Sequence, residues 1–75
     1  MTPMAATYTY TAVISQDGPW WLGWVEEVPG VNAQEQSREA LLDSLRVVLR
    51  EALELNRSEA LEAAGPAYEE LAFTL

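Results

Sequence analysis

The stretch Asp17-Gly-Pro-Trp-Trp-Leu-Gly-Trp-Val-Glu-Glu-Val-Pro-Gly30 decides how this chain reads. Alternate residues of a strand point to opposite faces. From Trp20 to Glu26 this places Trp20, Leu22 and Trp24 on one side and Trp21, Gly23 and Val25 on the other. Neither side is polar. A single helix can cover only one of them, so the other is left for a second contact. Asp17-Gly18-Pro19 before the strand and Pro29-Gly30 after it carry turn chemistry: a carboxylate that bonds to nearby backbone, glycines that accept positive φ, and prolines that fix the backbone.

Outward from this strand, Thr7 to Ser15 ("TYTYTAVIS") alternates and is rich in β-branched and aromatic residues, which predicts a first strand. Tyr8, Tyr10, Ala12 and Ile14 share one of its sides. With the turn between them, the two strands form an antiparallel hairpin. Val31 to Gln34 is a short third strand. Ser37 to Asn56 is the main helix, with Leu41, Leu45, Val48, Ala52 and Leu55 at steps of three and four, widened by Leu42, Leu49 and Leu53. Ser37 suits the N-cap and Glu39 the first turn. A further helical turn is expected within 57–65, ended by Gly65-Pro66. In the last segment Leu71, Phe73 and Leu75 alternate, which favours a strand over a terminal helix. The fold class expected is therefore α+β: a small antiparallel sheet, a hairpin plus one or two further strands, with one main helix on one face. The 75 residues form a single domain.

Composition removes several classes of function. There is no cysteine and no histidine. The usual zinc sites, thiol and Ser-His nucleophiles and the neutral-pH base are thereby excluded. Carboxylates remain, but Glu26 and Glu27 are adjacent on a strand and diverge, so they do not converge on one atom. A solvated strand end, or carboxylates offered to a partner's cation, fits them better. No enzyme activity, cofactor or metal is expected. A formal charge of −8 repels phosphate backbones and favours a basic partner. No apolar run approaches a membrane span and no signal peptide opens the chain, so a cytoplasmic protein is expected. The tryptophans can serve as core, as a stacking platform or as an interface. A stacking platform needs a basic groove, and the neighbouring charges are Asp17, Glu26 and Glu27. Core and interface both remain open. The candidate partner-binding residues are Trp20, Trp21, Trp24, Glu26, Glu27 and Glu35.

The order of residues adds a resemblance. "YTAVISQDGPWWLGWVEEVPGVNAQ" followed by "EALLDSLRVVLREALEL" is similar to the HicB-like antitoxin family. Members show a strand, a D-G-x-W-Y turn, a second strand, E-L-P-G, a glutamine-containing loop and a helix opening E-E-A-L. Asp17, Gly18, Trp20, Trp21, Gly23, Trp24, Val25, Glu27, Val28, Pro29, Gly30, Gln34, Glu39, Ala40 and Leu41 carry the match, which spans roughly Tyr10 to Leu55. Glu26 stands where the family has proline. The resemblance implies a partial ribonuclease H-like fold without that enzyme's acidic catalytic set. It also implies binding to and inhibition of a small basic HicA-type ribonuclease. Many members carry a C-terminal DNA-binding domain, for which this chain is too short and too acidic. A solitary homo-oligomeric adaptor module is the second expectation.

Overall fold

The computed structural model describes residues 9–74. Three strands, β1 (Ala12–Asp17), β2 (Trp20–Val25) and β3 (Asn32–Glu35), are followed by one helix, α1 (Arg38–Ala64). The sheet is antiparallel in the order β1-β2-β3, and α1 packs against β2 and β3. This is the expected α+β fold, with three strands.

The hairpin closes tightly. Asp17 pairs with Trp20, leaving Gly18-Pro19 as a two-residue loop. Gly18 has φ +60°, and with the ring-fixed negative φ of proline next to it this is the type II′ combination that matches strand twist. After β2 the chain turns through Glu26–Val31. Val28 N–H donates to Val25 O at 3.3 Å, Val31 N–H to Val28 O at 3.3 Å, and Val25 N–H to Val31 O at 3.1 Å. Pro29 followed by Gly30 at φ +92° satisfies the type II requirement. These bonds close the reversal on β2, with Val28 and Val31 buried at 8% and 1% exposure.

Register fixes the faces. Ile14, Gly23 and Ala33 lie in one row across the sheet, and α1 lies over that row. The core is Val25, Val28, Val31, Leu41 and Leu45, with Tyr10, Ile14, Trp21, Val48 and Leu49 packed around it. Gly23 is the point of closest approach, its position hemmed by Leu41, Leu45 and Ile14.

The helix begins as its sequence specifies: Ser37 Oγ accepts the Ala40 N–H at 3.1 Å. Its end differs. One helix of 27 residues runs to Ala64, where a helix to Asn56 and a separate turn were expected. Nothing between Arg57 and Ala64 breaks a helix, and the stop comes at Gly65, at φ +84° with its N–H bonded to Glu62 O. At 1.5 Å per residue α1 is about 40 Å long, twice the length of a six-residue strand. Its second half therefore overhangs the sheet, and Leu55, on the apolar stripe, is 59% exposed.

Two further expectations are corrected. The first strand begins at Ala12, not Thr7; Thr9 to Thr11 are irregular, and Thr7 and Tyr8 lie outside the described residues. The segment after Gly65 is irregular through Thr74, not a strand, because the long helix delivers it far from the sheet. Leu71 and Phe73 are 79% and 87% exposed; Leu75 lies outside the described residues.

Candidate interaction surface

The six tentative partner-binding residues fall into three places. Trp20 and Trp24 stand on the sheet face opposite α1, 38% and 46% exposed. Strand geometry puts their Cα atoms about 13 Å apart, with Leu22 between them. Across the hairpin, Val13 opposes Trp24, Ser15 opposes Leu22 and Asp17 opposes Trp20; on the other flank Asn32 opposes Trp24 and Gln34 opposes Leu22. The face thus has an apolar diagonal, Val13, Trp24, Leu22 and Trp20, rimmed by short polar side chains. No element of the described residues packs over it.

Trp21 points the other way. It shares the helix-covered face with Gly23 and Val25 and packs, half-buried, against the core. Across β3 it opposes Glu35. The Glu35 carboxylate is also on that side: its Oε2 accepts the Ser44 Oγ–H of α1 at 2.7 Å, a part-buried bond tying β3 to the helix. Trp21 and Glu35 are thus engaged within the fold, on the side away from Trp20 and Trp24.

Glu26 and Glu27 lie past the end of β2, in the reversal. Both are exposed, and both serve the irregular segment that leads into β1. Glu26 N–H donates to Thr11 O at 3.0 Å, and Glu27 Oε1 accepts the Thr11 N–H at 2.7 Å. The Thr11 backbone and side-chain hydrogen bonds hold the Glu27 carboxyl below its ordinary 4.5, outweighing a small opposing desolvation. The two carboxylates do not form an acid–base pair; Glu27 closes the mouth of the hairpin.

Asp17, Val13 and Leu22 belong to the exposed face, although the sequence reading singled out none of them as partner-binding. The signal was the two-residue loop. Once Gly18-Pro19 closes the hairpin, Asp17 must oppose Trp20 and Val13 must oppose Trp24. Among the described residues, no three His, Cys, Asp or Glu side chains gather where a metal could sit, and no helix is long and apolar enough to cross a membrane.

Comparison with protein-family models, curated proteins and solved structures finds no match to this chain.

Proposed function

We propose that this chain is a non-enzymatic interaction domain of the HicB-like type, with the partial ribonuclease H-like fold of that family, which binds and inhibits a small basic HicA-type ribonuclease. The observation that carries this reading is the exposed Trp20/Trp24 face on a chain of net charge −8. Tryptophan is the side chain most enriched among interface hot spots. Its ring also attracts the arginine or lysine side chains that a basic nuclease presents. Asp17, beside Trp20, and Glu26 add carboxylates to those cations, and the acidic field speeds encounter. Inhibition then needs no chemistry: the cationic surface that holds RNA is covered.

The test is affinity capture of the tagged protein from its native lysate, washed with rising salt and read by mass spectrometry, followed by an RNA-cleavage assay. The expected result is a small basic nuclease that is retained at low salt, silenced by the wild-type chain and released by Trp24→Ala. A captured basic protein whose RNA cleavage is unaffected by this chain overturns the reading. A second reading, a homo-oligomeric adaptor, is favoured by the apolar row of Val13, Leu22, Trp20 and Trp24, which suits the same patch on a second copy. Recovery of the untagged chain alone, with its retention lost in Trp24→Ala, selects that reading.

A further inference from the structure

The exposed sheet face has an order along β2 that narrows what it binds. Asp17 opposes Trp20 across the hairpin, which puts their Cβ atoms about 5 Å apart. At the other end Glu26 keeps one more rung of the ladder, its N–H donating to Thr11 O at 3.0 Å. It therefore continues the alternation of Trp20, Leu22 and Trp24 and falls on their side, about 7 Å beyond Trp24. Each tryptophan thus has one exposed carboxylate beside it, and Leu22 separates the two pairs.

The chain's own basic side chains are elsewhere. All four, Arg38, Arg46, Arg50 and Arg57, lie in α1, on the other side of the sheet. Among the described residues the ion pairs are Arg46 with Asp43 and Arg57 with Glu70, both made by the helix. A second copy is therefore a poor mate for this face. Stacked face to face in either strand direction, two copies bring Glu26 of one toward Glu26 or Asp17 of the other. Like charges then meet, with no cation between them. A cationic partner relieves both carboxylates at once.

Arginine suits a tryptophan–carboxylate pair better than lysine does. Its planar guanidinium stacks on the indole face while its N–H edge reaches the carboxylate. The lysine ammonium is a more strongly hydrated point charge and does not do both. Strand spacing sets the two tryptophans about 13 Å apart. That is also the separation of side chains i and i+4 in an extended segment, whose i+2 side chain then lies above Leu22.

We propose that this face takes an extended partner segment with two arginines four residues apart and an apolar residue midway. One guanidinium stacks on Trp20 and pairs with Asp17; the other stacks on Trp24 and pairs with Glu26. The proposal rests on the reading of the tryptophan face as the interaction surface, and adds the side chains that this surface selects and their spacing.

The probe is the peptide acetyl-Thr-Arg-Thr-Leu-Thr-Arg-Thr-amide, titrated at low salt into the isotope-labelled chain. The indole N–H signals, assigned with Trp20→Phe, Trp21→Phe and Trp24→Phe, report the binding by nuclear magnetic resonance. The signals of Trp20 and Trp24 are expected to move, and that of Trp21 to move least. Replacing both arginines by lysine, or placing them side by side, should weaken binding at least about threefold. Asp17→Asn should reduce the response of Trp20 more than that of Trp24, and Glu26→Gln the reverse. Equal affinity for the three peptides, or no movement of either indole at millimolar peptide, overturns the proposal. So does movement of the same indoles on dilution of the chain alone, which would mean that a second copy covers the face. Failure of the toxin reading looks different: the peptides discriminate as expected, which upholds this proposal, while no nuclease is captured or inhibited. Conversely, a captured nuclease that is silenced by the chain and indifferent to Asp17→Asn and Glu26→Gln supports that reading and overturns this one.

Discussion

Gly23 lies directly beneath Leu45. A Cβ built at Gly23 would sit 2.9 Å from Leu45 Cδ1, 3.2 Å from Leu41 Cδ2 and 3.3 Å from Ile14 Cγ2. The helix rests on the sheet at this spot because the residue below has no side chain. Leu41, 0% exposed, is enclosed by the core, so an added methyl must push against packed side chains. Gly23→Ala is expected to cost about 1–3 kcal/mol through overpacking. In a domain of this size that lowers the melting temperature by about 4–8 °C per kcal/mol. Thermal unfolding followed by circular dichroism measures it, and an unchanged midpoint would show that α1 lifts off the sheet without loss.

The tryptophans should separate in their energetics. Trp21 packs on the core and Trp24 on the open face. Trp21→Ala is expected to destabilise by about 2–3 kcal/mol, somewhat under the value for a fully buried aromatic. Trp24→Ala should cost about 1 kcal/mol or less. Urea unfolding of the two variants gives both numbers. Equal losses would mean that the two sheet faces are equally covered in solution.

Much of this fold was legible from local chemistry. The II′ hairpin, the Pro29-Gly30 reversal and the Ser37 cap each depend on residues within a few positions, and each is where its sequence places it. The face assignment was only half legible. Period-2 spacing separated Trp20/Leu22/Trp24 from Trp21/Gly23/Val25 but could not say which set the helix covers. Gly23 held the answer, since a helix approaches a sheet most closely where a side chain is missing. The long-range features were not legible. Leu71 and Phe73 alternate as a strand does, yet where they lie depends on how far α1 carries the chain from the sheet. Glu35 read as a carboxylate for a partner, because its bond to Ser44 spans two elements that only the packed fold brings together.

That bond sets a third expectation. Ser44 Oγ–H donates to Glu35 Oε2 at 2.7 Å in a part-buried site. Ser44→Ala removes the donor and leaves the carboxylate half-covered, at a cost of about 1 kcal/mol or slightly more for a charged acceptor. Ser44→Thr, which keeps the hydroxyl, should recover part of it. Chemical denaturation of both variants decides the matter: if alanine and threonine behave alike, the hydroxyl contributes nothing.

Glu27 predicts a pH dependence whose sign follows from its hydrogen bonds. Its folded pKa lies below the ordinary 4.5, because the charged carboxylate accepts from Thr11. A group depressed in the folded state contributes stability that is fully present above the unfolded pKa and lost as pH falls through the folded one. The stability advantage of wild type over Glu27→Gln should therefore be constant from neutral pH down to about 5. It should shrink below 4.5 and vanish once the folded carboxyl is protonated. The partner is a neutral amide at contact distance, not a charge, so added salt should leave the gap at neutral pH nearly unchanged. Urea midpoints for both chains between pH 7 and 3, at low and high salt, test this. A gap that widens on acidification would mean that Thr11 prefers the neutral side chain, and that Glu27 does not hold the mouth of the hairpin as a charged acceptor.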